Sequence, residues 1–143
     1  MIISVCVPHR GDDKHLIETV RQTVANSTMA TTRVVVGFDK DEFNKGRLAI
    51  MNSEKIVCCV DPREDSLGAK YDRCAKDFPA DLYVIAKDHI AIKTPGWDAI
   101  LNEYAALFTD GIGLLHIGKE PNGEDLPAMI GVTKKMMEIA GFG

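Results

Sequence analysis

Charged and polar side chains follow three apolar segments of this sequence, at the points where each segment ends. Asp39 and Asp41 follow a run of valines, the turn at 66–70 follows a second apolar run, and Asp88 and His89 follow a third. If these runs are neighbouring parallel strands, their carboxyl ends share the sheet edge where open α/β folds bind ligands. Carboxylates gathered there repel each other unless a cation, a base or a sugar hydroxyl lies between them. The alternative is that the acidic residues only solvate loop ends.

The apolar pattern predicts strands that alternate with helices along nearly the whole chain. Short apolar runs indicate buried strands, at 2–7, 33–38, 56–60, 82–86, 112–117 and 126–132. Helical spacing of apolar residues predicts helices from Asp12 or Asp13 to about Asn26, and over 67–78, 94–108 and 133–140. This alternation predicts one three-layer α/β/α domain around a mainly parallel sheet with right-handed crossovers.

Two of the predicted helices have a clear apolar stripe. The helix after the third strand is expected to bury the side chains at one face: Leu67, Tyr71, Cys74, Ala75 and Phe78. The helix after the fourth strand is expected to have Thr94 as its N-cap and Pro95 as its first residue. Its own buried stripe is expected to be Trp97, Ile100, Leu101, Tyr104 and Phe108.

The composition is that of an ordinary globular domain. Of the 143 residues, 45% are hydrophobic and 27% are charged, and the net charge of -4 argues against binding nucleic acid through its phosphates alone. No apolar run approaches the roughly 18 residues that a membrane span needs, and no signal peptide is evident, so we expect a cytoplasmic protein. The cysteines lack Cys-x-x-Cys spacing and are expected to be buried free thiols: Cys6, Cys58, Cys59 and Cys74.

Several short motifs, taken in order, give the sequence a resemblance to a known family. They are Pro8-His9-Arg10-Gly11, the Asp-rich end of the second strand, Leu67-Gly68-Ala69-Lys70-Tyr71, Asp88-His89 and Thr94-Pro95-Gly96-Trp97-Asp98. Together they resemble nucleotide-sugar glycosyltransferases of the GT-A fold, and most closely short phage and bacterial members related to family two. The resemblance covers roughly residues 2–143 and implies a single GT-A-like domain. A Gly-x-Gly-x-x-Gly turn, typical of dinucleotide-binding Rossmann enzymes, does not follow the first strand.

The resemblance implies roles for the residues that match its motifs at the nucleotide. Pro8 and Arg10 would line the nucleotide pocket, although Arg10 in a surface salt bridge is an equal alternative. Asp39, together with Asp41, would accept hydrogen bonds from the base or ribose, because a carboxylate acts only as an acceptor.

The turn that opens the helix after the third strand would lie against the nucleotide-sugar. Gly68 would let the main chain approach the donor, and Lys70 would reach a phosphate near the helix N-terminus. A Lys70 on a solvated helix face would have the same sequence pattern.

The resemblance also implies a divalent metal, Mn2+ or Mg2+, held by Asp88 and with His89 as a nitrogen ligand that suits manganese. Such an ion would stabilise the charge that builds on the leaving nucleoside diphosphate. The sequence departs from the family here, because Lys87 stands where the motif commonly has its first acidic residue. Lys87 would weaken metal binding, or would itself meet the phosphates and partly replace the ion. A structural, hydrogen-bonded His89 is the alternative to a ligand.

The predicted function is transfer of a sugar from a nucleotide-sugar, with uracil as the expected base, to an unknown hydroxyl acceptor. Family members usually continue beyond 141–143 with a segment that carries an acidic catalytic base, so the chain is expected to lack the usual acceptor and base segment. The alternative is a GT-A-fold binding or assembly module without turnover. An exposed sheet edge would favour self-association, which makes a homo-oligomer the expected assembly.

Overall fold

A computed structural model of the chain describes residues 1–9, 13–39, 53–61, 66–118 and 129–140. Its strands are β1 (Ile3–His9), β2 (Thr32–Asp39), β3 (Ile56–Asp61), β4 (Leu82–Ile85), β5 (Leu114–Ile117) and β6 (Met129–Thr133). Its helices are α1 (Asp13–Ala25), α2 (Leu67–Asp77), α3 (Trp97–Ala105) and α4 (Lys134–Ala140). The strands form one six-stranded sheet in the order β3-β2-β1-β4-β6-β5.

The sheet is mainly parallel, as predicted. The four strands from β3 to β4 are parallel, whereas β6 is antiparallel to both β4 and β5. Since β4 and β5 are both antiparallel to β6, β5 runs in the same direction as β4. The carboxyl ends of five strands therefore lie at one edge of the sheet, and β6 begins at that edge. Of the predicted sixth strand, 126–128 lie outside the described residues.

Apolar side chains alternate along the central strands and cover both faces of the sheet, which confirms the three-layer prediction. On one face, Val5 and Val36 pack with Leu16 of α1 and Trp97 of α3. On the other face, Cys6 and Val35 belong to a second cluster that is closed by residues of α2, namely Tyr71, Cys74 and Ala75. The predicted strand at 112–117 is shorter than expected, because the N–H of Ile112 is bonded to Asp110 Oδ1 in a turn.

The start of α3 differs from the sequence prediction. Gly96 is the N-cap, with a left-handed φ of 70°, and its N–H donates to the carbonyl of Asn26 at 2.8 Å. Thr94 and Pro95 lie before the helix, and the Thr94 carbonyl accepts from the N–H of Trp97. Only glycine adopts this conformation without strain, which is why the helix starts after it.

The buried stripe of α3 is narrower than predicted. Trp97 and Leu101 are buried, whereas Ile100 is 41% exposed and Tyr104 is 56% exposed. Trp97, Leu101 and Ala105 follow one another at i, i+4 spacing and face the sheet, so the neighbouring row that holds Ile100 and Tyr104 faces away. Phe108 is partly buried just beyond the helix. On α2, Leu67 is likewise exposed, contrary to the prediction.

Asp98 attaches α3 to the segment between α1 and β2. Its carboxylate is fully buried and accepts hydrogen bonds from the N–H groups of Thr28 and Met29 and from the hydroxyls of Thr28 and Thr32, at 2.6 to 3.1 Å. The N–H of Ala99 donates to it as well. A buried carboxylate with this many donors is a structural anchor, so the Asp98 of the Pro-Gly-Trp-Asp motif belongs to the fold.

The cysteine prediction is confirmed for three residues. Cys6, Cys59 and Cys74 are buried thiols outside any disulfide, and Cys58 is likewise not in a disulfide but is partly exposed. None of the helices in the described ranges is both long and apolar enough to cross a membrane.

Candidate functional site

A cavity of about 460 Å³ opens at the carboxyl edge of the sheet, between the ends of β1 and β4 and the first turn of α2. Five of the residues predicted from the sequence line it: Pro8, Lys70, Lys87, Asp88 and His89. The first turn of α2 is fixed by Ser66, whose Oγ accepts from the N–H of Ala69 at 3.1 Å. Main-chain N–H groups at such a helix start favour an anion. The cavity thus combines cationic and anionic side chains with a helix N-terminus.

Asp39 and Lys70 form a buried ion pair next to this cavity. Lys70 Nζ donates to Asp39 Oδ1 at 2.6 Å, and the two side chains are 7% and 0% exposed. Lys70 therefore does not lie on a solvated helix face, which removes the alternative left by the sequence. From the sequence, Asp39 was expected at the base or ribose and Lys70 at a phosphate of the nucleotide, whereas the structure bonds the two side chains to each other. Their roles in binding stay predictions.

His9 is a site residue that the sequence reasoning missed. Its side chain is 1% exposed, and its Nδ1–H donates to Asp88 Oδ2 at 2.9 Å. The pairing of Cys6 with Ile85 on β1 and β4 puts position 9 level with position 88 just beyond the strand end. The parallel order of these two strands was the only signal that could have indicated this contact.

Asp88 is held ionised by the two histidines. The hydrogen bond from His9 is the main reason that the pKa of Asp88 lies below its ordinary value; burial opposes the shift, and His89 adds to it. His89 is exposed, and its Nδ1 lies 3.3 Å from Asp88 Oδ1. When Nδ1 carries the proton in this contact, the Nε2 lone pair of His89 is the nitrogen that could coordinate a cation.

Tyr71 fixes the main chain that leads from β4 into the site. Its hydroxyl donates to the carbonyl of Ala86 at 2.6 Å, and the N–H of Ala86 donates to the carbonyl of Cys6. Burial is the main reason that the pKa of Tyr71 is raised to about 12. Tyr71 therefore stays a neutral donor at physiological pH and sets where Lys87 and Asp88 leave the sheet.

The donor set fits a divalent ion only in part. The described ranges contain no group of three or more His, Cys, Asp or Glu side chains that could hold a metal. Asp88 and His89 supply one carboxylate and one imidazole, which suit Mn2+ in type but are too few to form a cage. An ion at this place would need phosphate oxygens or water for its remaining ligands.

The other predicted site residues are less informative. Gly68 lies in the first turn of α2 and is partly buried, but it does not line the cavity. Arg10 and Asp41 lie outside the described residues.

No protein-family model matches the chain, and a search of curated proteins found no match. Solved structures do match. A mannosyltransferase from Pyrobaculum calidifontis, in complex with GDP-Man and Mn2+, is 13% identical with a TM-score of 0.73, and the match covers 97% of this chain and 46% of that one. TarS residues 1–349 from S. aureus are 15% identical with a TM-score of 0.70, and the match covers 97% and 49%.

Other TarS structures contain UDP or UDP-GlcNAc. A third similar structure is a CMP:2-keto-3-deoxy-manno-octonic acid synthetase complexed with CTP, at 9% identity and a TM-score of 0.64, which covers 96% of this chain and 76% of that one. The chain thus spans about half the length of the two transferases that it matches. At these identities the likeness establishes architecture alone. The chain has the fold of the GT-A glycosyltransferases.

Proposed function

We propose that this domain binds a nucleotide-sugar, with a UDP-sugar as the donor, at the carboxyl edge of its sheet and transfers the sugar to a hydroxyl acceptor. The observation that carries the proposal is the buried Asp39–Lys70 pair next to a cavity of about 460 Å³. This volume is within the range of small-molecule sites, which are roughly 300–1,000 Å³. The GT-A fold and the nucleotides bound by the similar transferases and synthetase support it.

The chemistry of the pair favours uracil over cytosine. The Asp39 carboxylate is an acceptor and the Lys70 ammonium is a donor, and they lie side by side. Uracil has an N3–H that a carboxylate can accept and an adjacent O4 that an ammonium can approach. Cytosine has no hydrogen at N3, so a carboxylate would face a lone pair. Guanine offers an N–H at its Watson–Crick edge, which makes GDP the nucleotide to compare with UDP.

The diphosphate would lie toward Lys87, Asp88 and the first turn of α2. Lys87 is exposed at the cavity and supplies a positive charge, and the helix N-terminus adds main-chain donors. When bound, a divalent ion would act as a Lewis acid on the diphosphate and stabilise the departing nucleoside diphosphate. Asp88 and His89 would hold it, and Asp88 would be oriented for this by the hydrogen bond from His9.

A second candidate is a nucleotide-binding module without turnover. The exposed Lys87 beside Asp88 favours it, and so does the small number of metal donors among the described residues there, namely Asp88 and His89. Both candidates bind nucleotide, so binding alone does not separate them. Release of UDP from a UDP-sugar, with sugar transferred to water or to an added acceptor, would support the transferase. Binding without any such release would support the module.

The test of the proposed function is a set of melting temperatures with UDP, UDP-sugars, GDP and CDP, each with and without Mn2+. A ligand that binds only the native state raises the melting temperature, by an amount that grows with its concentration over Kd. We expect UDP to raise it and CDP to have much less effect. Because the described residues supply only two metal ligands at the cavity, we expect Mn2+ alone to change the melting temperature little, and Mn2+ with UDP to raise it more than UDP alone. No shift with any nucleotide would contradict the proposal.

The same preparation tests self-association. Among the strands of the described ranges, β5 lies at one edge of the sheet, and Leu114 on it is 48% exposed. Unpaired edge strands favour pairing between chains, so we propose a homo-oligomer formed through this edge. Light scattering at increasing protein concentration should give a mass above that of one chain, and a constant monomer mass would contradict it.

A further inference from the structure

Two buried thiols from different elements are in contact below the candidate site. Cys59 lies on β3 and Cys74 on α2, and their sulfur atoms are 3.3 Å apart. Cys59 is 4% exposed and Cys74 is 0% exposed. Both belong to the apolar layer between α2 and the sheet, which also contains Cys6. No role in the proposed nucleotide site uses either thiol.

We propose that Cys59 and Cys74 are a redox-active pair that closes to a disulfide under oxidising conditions and reopens on reduction. A disulfide has its sulfur atoms about 2.05 Å apart, so the two sulfurs need to approach by about 1.3 Å. This is a small adjustment between a helix and the sheet on which it packs. The neighbouring Cys58 does not compete, because it packs with the cluster on the opposite face of the sheet.

The oxidation is a balanced two-electron reaction with a peroxide as the oxidant. The thiolate of Cys59, the more exposed of the two, attacks hydrogen peroxide and becomes a sulfenic acid, and the leaving hydroxide takes up a proton to form water. The thiol of Cys74 then attacks the sulfenic sulfur, the new S–S bond forms, and the hydroxyl group leaves as a second water. An external dithiol reverses the reaction by thiol–disulfide exchange and is itself oxidised to a disulfide.

The bond would link α2, which carries Lys70, to β3, which lies beside the strand that carries Asp39. Cys74 lies one helical turn after Lys70 on α2, and Cys59 lies opposite Gly37 on β2, two residues before Asp39. The two cysteines are 15 positions apart in the chain. Closing a loop of this length limits the unfolded chain, and for a domain of this size we expect the melting temperature to rise by about 10 °C.

The test treats the full, folded chain with a small excess of hydrogen peroxide at neutral pH and then blocks remaining thiols by alkylation. We expect the intact mass before alkylation to be about 2 Da lower than that of the untreated chain, the mass of two hydrogens. Proteolysis without reduction should give one cross-linked pair of peptides, joining Cys59 to Cys74. The melting temperature should rise with the fraction oxidised, and dithiothreitol should restore the starting value.

Substitutions give matched controls. Cys59→Ser and Cys74→Ser should each abolish the cross-link and the rise in melting temperature, whereas Cys58→Ser should keep both. If a buried serine prevents folding, the peptide map of the unsubstituted chain still shows whether Cys59 and Cys74 are the cross-linked pair. A cross-link that uses Cys6 or Cys58, a sulfenic acid that never closes, or thiols that react only after unfolding would each overturn the proposal. Because none of these readouts involves a nucleotide, they are independent of whether the domain binds one.

Discussion

Replacing Asp98 by asparagine tests how α3 is held to the rest of the domain. Asn keeps the size of the side chain but turns one acceptor oxygen into an NH2 donor. Oδ2 accepts from the N–H of Met29 at 2.8 Å, and Oδ1 accepts from the N–H groups of Thr28 at 2.9 Å and Ala99 at 3.0 Å. Whichever oxygen is replaced, at least one main-chain N–H then faces another donor and loses its acceptor.

The expected cost follows from that loss. A hydrogen bond to a charged group contributes about 1.5–3 kcal/mol, and a buried N–H left unpaired adds to the cost. We therefore expect Asp98→Asn to lower the free energy of unfolding by about 3 kcal/mol. Dividing this loss of free energy by the unfolding entropy of a domain of this size gives a fall of about 10 °C in melting temperature. Urea and thermal unfolding, followed by circular dichroism, measure both quantities.

The pH dependence gives a second, independent result. Burial alone would raise the pKa of Asp98, but hydrogen bonds from Thr32, Thr28, Met29 and Ala99 outweigh it and hold this pKa below its ordinary value of 3.8. A carboxyl with a lowered folded-state pKa stabilises the fold above the unfolded-state pKa, and this contribution is lost as pH falls through the folded-state value. The difference between wild type and Asp98→Asn should therefore be full at pH 7 and shrink below about pH 4.

Asp77→Asn is the matched control, because it makes the same change of charge at an exposed position near the end of α2. It should change the free energy of unfolding by less than about 0.5 kcal/mol. If Asp98→Asn is no more destabilising than this control, or if its effect is as large at pH 3 as at pH 7, then Asp98 does not anchor α3 as described.

Three further substitutions test contacts at and near the site. Lys70→Met leaves the buried carboxylate of Asp39 without this counter-charge and should cost about 3 kcal/mol by urea unfolding; no change would mean that the ion pair is absent in solution. Tyr71→Phe should cost about 1–2 kcal/mol. This difference should persist up to pH 10 and shrink toward pH 12, because the pKa of Tyr71 is raised from 10.0 to about 12; a difference that is independent of pH would contradict the bond. Gly113→Ala places a Cβ on the ring of Phe108 and should cost about 1–3 kcal/mol by thermal unfolding, whereas a neutral result would contradict the tight packing there.

Much of the architecture follows from local sequence patterns. The buried strands β1 and β2 and the apolar face of α1 are direct results of residue spacing, and they are found close to their predicted positions. The predicted start of α3 was wrong. Thr94 and Pro95 have the typical pattern of a helix start, but the helix begins after Gly96, which adopts a left-handed conformation and donates its N–H to the carbonyl of Asn26. That contact links distant parts of the chain and has no local signature.

The sequence indicated that the predicted site residues would lie at one edge of the sheet, but it did not indicate which of their side chains are bonded to each other. Residues at strand ends were expected at one edge, and Lys70 and Asp88 are found at one cavity there. The sequence did not indicate that Lys70 is bonded to Asp39, or that a buried His9 donates to Asp88, 79 positions away. These contacts depend on the order of the strands in the sheet and on their register, and neither can be inferred from the residue pattern of a single sequence.

The most direct test of the account is isothermal titration of UDP into the wild-type domain, the Asp39→Asn variant and the Asp77→Asn control, with Mn2+ present. Asp39→Asn loses the charged acceptor next to the cavity, and hydrogen bonds to charged groups are worth about 1.5–3 kcal/mol, so we expect its affinity for UDP to fall by about 10- to 100-fold. The control should bind like the wild type. If UDP does not bind the wild type, or if it binds a folded Asp39→Asn variant equally well, the nucleotide site is not where we propose it.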